Sequence, residues 1–415
     1  MGWNGLPIEL VHLIISHNNI QPHDLANLAR VNRHLAGIVP QYLYRDVQFL
    51  SAHLSGESKH ACLKRLAQFN RTITRNPRLA RLTRSIAIKT CVEDEGAVDC
   101  IWEVLAKLYS LEKLVLSTAT EDRLHLVLQK NVLARLRCAD INGDFVSLAV
   151  AACYMQLPAM ESLKVESGGL PLMGRRCSPA ARLPPNMERP TSLKRLAIRV
   201  PSECSSLLPR LLSCCPNLAT LALSIQCRSN TRLEQMLLSN ALNLCQETIT
   251  TLELDCEYGE CRGYFECCPI VFRPLKCLRT LKIDVLFLFT DEERGDPTLR
   301  NDIHQWLPTS LEYLELLFQH TCRAFETTAR SAADGSSPVT PPTTYKPEYL
   351  NWLLQIGMNK EARPPSLVHV CVREGNNGFP SPYKVSKLPG QIEAPFREAG
   401  IGIQLLLLPC RSRPF

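Results

Sequence analysis

No run of apolar residues in the 415-residue chain approaches the length of about 18 that a membrane-spanning helix needs. The N-terminus has no basic stretch ahead of its first apolar residues, which argues against a secretory leader. Leu6 stands where a myristoylated start requires Ser or Thr. The expected setting is cytoplasmic or nuclear, without a membrane partner, and the Asn70-Arg71-Thr72 triplet then has no glycosylation role. GxxxxGK, HExxH, GxSxG and a helix-opening GxGxxG are also missing, and the ten histidines are scattered. A lone His369 on a strand reads as an ordinary surface or core residue. These absences leave no sequence ground for catalysis, and neither an enzyme nor a cofactor is expected.

Cysteine is abundant, with 19 residues, yet no CxxC pair occurs. Ten cysteines fall between Cys204 and Cys277, and Cys256, Cys261, Cys267 and Cys268 form a C-x4-C-x5-CC run. Thiolates at short spacing suit zinc, but this spacing is irregular and no histidine is close. Cys also packs as a small apolar residue in a reducing compartment, so buried free thiols are expected and no metal site.

Leucine spacing is what the chain does have. The pattern L-x-x-L-x-L, with apolar substitutes, starts at Thr83, Leu111, Leu133, Met160, Leu193, Leu218, Ile249, Leu278, Leu311 and Leu367. Steps between starts are 28, 22, 27, 33, 25, 31, 29, 33 and 56 residues, mostly near the leucine-rich-repeat period. A last strand is expected near Gly402. Intervening segments such as DCIWEVLAKLY, FVSLAVAACYMQL, TRLEQMLLSNALNL and PEYLNWLLQIG carry apolar residues at helical spacing. Short strands alternating with helices predict an α/β fold: a curved solenoid over 83–415, with parallel strands on the concave face and helices on the convex one. Three stretches interrupt it, at 168–191, 327–347 and 374–395; the second is nearly free of large apolar side chains.

Ahead of the repeats, Leu10, Leu13 and Ile14, then Leu25, Leu28, Val31 and Leu35, recur at spacings of three and four, predicting two short amphipathic helices. Pro22 opens the second, and Glu9 complements the start of the first. Over roughly the first 45 positions the sequence resembles the F-box, at Leu6-Pro7, Glu9-Leu10, Ile14, Asp24-Leu25, Leu28, Val31, Arg33 and Leu35. The trailing LYRDV looks like the segment that follows the F-box in many fungal members. HNNIQPHD, between the helices, is about two residues longer than that pattern, with Ile20 where Leu is typical. The expected organisation is an F-box-like helical module over 1–50, a basic helical linker over 51–82 and the repeat solenoid from 83.

The resemblance implies a substrate receptor of a cullin-RING ubiquitin ligase. Leu6, Pro7, Leu10, Ile14, Leu25, Leu28 and Val31 would then dock a Skp-type adaptor, and the repeats would hold a protein target. The alternative is a repeat scaffold that needs no adaptor, its N-terminal helices capping the first repeat.

Charge is uneven. Residues 57–89 hold nine Lys and Arg against Glu57 alone, whereas the remainder of the +7 chain sums to −1. Arg71, Arg75, Arg78 and Arg81 are spaced for one helical face, although Asn76-Pro77 predicts a break there. With only Phe69 as an aromatic, this stretch reads as a solvated face, and nucleic acid is not an expected partner. Strand alternation places the third, fifth and seventh repeat positions on the concave face. That predicts a partner surface of Arg135, Arg137, Lys164, Arg195, Arg199, Glu253, Asp255, Asp284 and Glu315, basic first and then mainly acidic. The four arginines would attract an acidic partner segment.

Overall fold

A computed structural model describes residues 7–17, 20–50, 59–89, 95–117, 133–143, 148–167, 191–201, 207–227, 231–258, 269–319, 324, 347–361, 364–375, 383–384 and 390–407. The chain forms two compact units, Met1–Leu193 and Lys194–Phe415. Both are α/β. Among the described residues no helix is long and apolar enough to cross a membrane.

The first unit begins with four short helices, α1 (Ile8–His17), α2 (Pro22–Val31), α3 (Arg33–Ile38) and α4 (Pro40–Leu43). Strands β1 (Asp46–Leu50), β2 (Ser85–Lys89), β3 (Lys113–Ser117), β4 (Cys138–Gly143) and β5 (Ser162–Ser167) follow. They pair in chain order, every pair parallel. Helices Lys59–Arg75, Pro77–Leu82, Glu95–Leu105 and Leu148–Met155 lie between them.

The second unit carries β6 (Arg195–Pro201), β7 (Thr220–Cys227), β8 (Thr251–Tyr258), β9 (Thr280–Asp284), β10 (Tyr313–Gln319) and β11 (His369–Gly375), parallel and in chain order. The two-residue β12 (Tyr383–Lys384) pairs antiparallel with the last strand, β13 (Gly402–Leu407), which itself lies parallel to β11. The antiparallel β12 departs from an all-parallel arrangement and covers the edge of β13, whose backbone groups would otherwise lack a neighbour. Longer helices here are Thr231–Asn243, Pro347–Met358 and Gly390–Glu398.

The leucine positions explain the strands. Leu111, Leu114 and Leu116 are buried, as are Leu218, Leu221 and Leu223 and Leu311, Leu314 and Leu316. Each such side chain removed from water stabilises by ~1.5–3 kcal/mol, and stacked repeats share that core. The residue after the first leucine lends its carbonyl to two amides of the next repeat. Arg84 O accepts from Glu112 N and Lys113 N at 2.7 and 2.9 Å, and Arg279 O accepts from Glu312 N and Tyr313 N at 2.8 and 2.9 Å. This repeated two-amide bond fixes the register.

Two expectations change. LYRDV is part of a strand system: Arg45 O accepts from Arg84 N and Ser85 N in the same manner, and β1 starts at Asp46. Helix Lys59–Arg75 buries Cys62, Leu66, Phe69 and Ile73, and the Phe69 ring packs tilted against Phe49 of β1 with ring centroids 5.6 Å apart. The stretch 51–82 is therefore not a spacer where it is described; its helices belong to the first unit's core.

The repeat expected at Leu133 starts instead at Leu136. Lys113 pairs with Cys138, so Leu136, Ala139 and Ile141 are the counterparts of Leu111, Leu114 and Leu116. Leu133 belongs to the preceding turn, where its carbonyl accepts from Leu136 N at 3.0 Å, as Leu108 does for Leu111 at 3.2 Å. The same L-x-x-L spacing occurs in the turn and in the strand, and Ala139 weakens the correct match. Steps of 22 and 27 residues become 25 and 24. Of the three interruptions, 168–190 and 325–346 lie outside the described residues, as do 376–382 and 385–389.

Candidate functional site

The N-terminal helices build a small core from Val11, Ile15, Leu25, Leu35, Ile38 and Val39, with Ile20, Leu28, Ala29, Tyr42 and Leu43 packed on it. Asn32 separates α2 from α3 and caps the latter, its Oδ1 accepting from Leu35 N at 2.8 Å. His12 Nδ1 lies 2.6 Å from the Tyr42 hydroxyl, which donates to His12 O at 3.2 Å. These bonds tie α1 to α4, whose residues touch β1 and helix Pro77–Leu82. The module is thus fixed to the sheet through α4.

Helix α1 is apolar on nearly every side, a pattern that belongs to a helix covered all round. Its inner face is Val11 and Ile15, one turn apart. The other apolar side chains point elsewhere: Ile8 and Leu10 are each 44 % exposed, Leu13 52 %, and Val31 at the end of α2 60 %. Of the expected adaptor contacts, Pro7, Leu10 and Val31 are exposed, Ile14 and Leu28 are half-buried, and Leu25 is buried in the module's core. Leu6 lies outside the described residues. Ile8 and Leu13 join the exposed set; Leu13 was visible in the helical spacing, and Ile8 was not singled out.

The expected partner surface on the sheet is rearranged by pairing. Arg135 sits in the turn before β4, and Arg137 precedes the strand. Arg137 donates through Nε to Glu161 Oε1 at 2.9 Å, and the carboxylate beside it raises the guanidinium further above its ordinary range. Arg84 meets Glu112 at 3.1 Å in the same row. Arg84, Glu112, Arg137 and Glu161 therefore form an alternating row just before the strands of the first unit. Lys164 pairs with Glu166 at 2.9 Å.

In the second unit Arg195 is exposed and Arg199 half-buried on β6. Glu253 accepts from Lys282 at 2.7 Å, and Glu315 lies 3.7 Å from Arg373. The surface expected to be mainly acidic is largely neutralised by its own cations. Tyr313 and His369 stack with centroids 5.2 Å apart and planes within 7°, and the Tyr313 hydroxyl donates to Glu315 at 3.2 Å. A Cβ on Gly402 would lie 2.9 Å from His369 Nδ1, so the missing side chain leaves room for the imidazole. Burial, then the Glu315 carboxylate, pushes the Cys371 thiol up to about 11, so it stays protonated.

Asp284 departs most from expectation. Alternation predicts a solvent-facing carboxylate, but the chain turns at Val285–Phe287 and buries it completely. Its Oδ1 accepts from Leu286 N at 3.0 Å. Desolvation raises its pKa well above the ordinary carboxylate value; the Leu286 amide opposes this, the nearby Asp255 carboxylate adds to it, and Arg294 opposes it. A folded pKa above the unfolded one means stability is full below the unfolded value, about 3.9, and is lost as pH rises through the folded pKa. Asp284→Asn keeps the acceptor for Leu286 and has no proton to lose. Urea midpoints of the two proteins should coincide near pH 4 and separate in favour of the Asn variant as pH rises to 8. A constant gap across that range would show that Asp284 does not titrate between the two states.

Ten cysteines whose side chains are described form no disulfide, and among the described residues no group of three His, Cys, Asp or Glu side chains could hold a metal ion. Cys256 is buried in β8, while Cys261, Cys267 and Cys268 lie outside the described residues. Two features thus stand out, the exposed apolar side chains of α1 and α2 and the polar faces of the sheet strands, and both are suited to non-covalent recognition. Compared with known proteins, the chain matches no family model and no curated protein.

Proposed function

We propose that the chain is the substrate-recognition subunit of a Skp-cullin-F-box ubiquitin ligase. Helices α1 and α2 dock a Skp-type adaptor, and the leucine-rich repeats hold a protein target. The observation that carries this reading is the outward apolar set Ile8, Leu10, Leu13 and Val31 on a module that already has its own core. A cap that served only the first repeat would bury those side chains against it. Exposed apolar side chains of this size, on a module that needs none of them for its core, point to an interaction surface. The curved solenoid expected from the repeat spacing would present its open sheet face to the target. The subunit would form no covalent intermediate; it would raise the effective concentration of a target lysine near the conjugating enzyme.

The alternative, a scaffold independent of any adaptor, keeps the repeats and drops the docking. Co-purification of the full-length protein with a recombinant Skp-type adaptor separates the two. A stoichiometric complex supports the ligase reading, and a folded chain that leaves the adaptor unbound overturns it.

A further inference from the structure

Helix Lys59–Arg75 has two faces with the same internal spacing. Cys62, Leu66, Phe69 and Ile73 are buried, at i, i+4, i+7 and i+11. Lys64, Gln68, Arg71 and Arg75 repeat that spacing two residues later, about 200° around the helix, and all four are exposed. The basic stripe therefore points directly away from the core. One flank is occupied: Asn70 donates to Glu103 at 2.8 Å, and Lys107 donates to Asn70 and Thr74 at 2.7 and 2.8 Å. Those bonds leave the stripe itself uncovered. Among the described residues no acidic side chain pairs with Lys64, Arg71 or Arg75.

Several cations elsewhere in the chain are paired instead. Arg84, Arg137, Lys164, Lys276, Arg279, Lys282 and Arg373 each have a carboxylate within 4 Å. Residues 59–89 contain no acid at all. Arg71 and Arg75, one turn apart, repel each other instead of forming the acid–base pair that usually supports an exposed helix. The stripe is locally unfavourable, and an external anion would relieve it.

We infer that this stripe is a docking surface for a short acidic segment of a partner protein. From Lys64 to Arg75 the helix rises about 16 Å, the length of about five extended residues. Acids at alternate positions of an extended segment recur every ~6.6 Å, close to the ~6 Å rise between Arg71 and Arg75. Arginine predominates and can hold a carboxylate with two parallel hydrogen bonds. A nucleic acid fits less well. The aromatic of this helix, Phe69, is buried and cannot stack on a base. Outside 57–89 the chain sums to −1, so a duplex extending past the stripe would meet no net positive charge. The inference does not depend on adaptor docking.

The test uses the full-length protein, a fluorescent twelve-residue peptide of alternating Glu and Ser, its Gln–Ser counterpart, and a 20-base-pair duplex, with anisotropy read at ~50 and ~200 mM salt. The acidic peptide should bind and the neutral one should not. Raising the salt should weaken binding several-fold. Lys64→Glu with Arg71→Glu and Arg75→Glu should reduce affinity at least tenfold without shifting the thermal midpoint, because none of the three is buried. Reversing the exposed Arg210, Arg273 and Arg397 instead should leave affinity within twofold. Unchanged affinity in the stripe variant, equal loss in the control variant, or tighter binding of the duplex than of the acidic peptide would each overturn the inference. Adaptor co-purification of the stripe variant should equal that of the parent, which keeps this test separate from the proposed function.

Discussion

Replacing Leu10 and Val31 together by Glu is expected to weaken capture by a Skp-type adaptor by at least ~10²-fold while leaving the thermal midpoint of the chain unchanged. Each side chain is about half exposed in the free protein and contributes little to the module's core, which is built from Val11, Ile15, Leu25, Leu35, Ile38 and Val39. Covering the exposed half of such a side chain gains ~0.7–1.5 kcal/mol, so losing two contacts accounts for roughly ten- to hundredfold. A carboxylate left in an apolar interface adds its own desolvation cost. Leu25→Ala is the complementary variant. It should lower the midpoint by opening a cavity and reduce capture only through loss of the folded module. Isothermal titration with the adaptor, paired with melting curves, distinguishes the two. Undiminished capture by the Leu10→Glu/Val31→Glu protein would place the docking face elsewhere.

The unequal behaviour of Leu10 and Leu25 shows what the sequence can and cannot specify. Helical spacing identified α1 and α2, yet it could not tell which apolar face turns inward. Both Leu10–Leu13–Ile14 and Val11–Ile15 satisfy the three-and-four rule, and only the packing of Leu25, Leu35 and Ile38 selects the second pair. In the repeats, apolar spacing located most strands because each Leu must enter a shared core. It slipped at Leu133, where the turn copies the strand's spacing, and it missed β1. There Val47 and Phe49 alternate within only five residues and Tyr44 stands in place of the leading leucine.

Charge was the least legible property. The pairs Arg137–Glu161, Lys282–Glu253 and Arg373–Glu315 join residues 24 to 58 positions apart, on neighbouring strands or just before them. Single-strand alternation sees each charge and not its partner. The basic stripe on helix Lys59–Arg75 was visible in composition, but its isolation from the described acids depends on the fold. Asp284 was assigned to solvent by alternation, which fails where a strand ends in a covered turn.

The largest effect on stability is expected from Arg300→Met. Arg300 is fully buried in the second unit. Its Nε donates to Glu293 O at 2.6 Å, Nη2 to Arg294 O at 3.0 Å and Nη1 to Ala324 O at 2.9 Å. Two of these acceptors are carbonyls in the last turn of helix Asp291–Gly295, which a short helix cannot satisfy internally. The guanidinium carbon lies 4.9 Å from the centre of the Phe289 ring, 5.1 Å from Phe318 and 5.8 Å from Trp352. The backbone of Ala324 is held from its other side by Glu374, whose Oε1 accepts the Ala324 amide at 3.0 Å. Methionine approximates the volume and can touch the rings, but it orphans three carbonyls, that of Ala324 buried and those of Glu293 and Arg294 half-buried, at ~1–3 kcal/mol each with the buried one at the upper end. Relief of the buried charge offsets part of this loss, leaving a destabilisation of ~3–5 kcal/mol and a fall in melting midpoint of roughly 10 °C. Arg300→Lys should restore little of it, because a single ammonium cannot aim at three carbonyls in the plane that the guanidinium spans. Glu374→Gln retains an acceptor for Ala324 and should cost less than either. A midpoint for Arg300→Met within 2 °C of the parent would mean that water or neighbouring donors replace all three bonds, and the aromatic cage would then hold its place by packing alone.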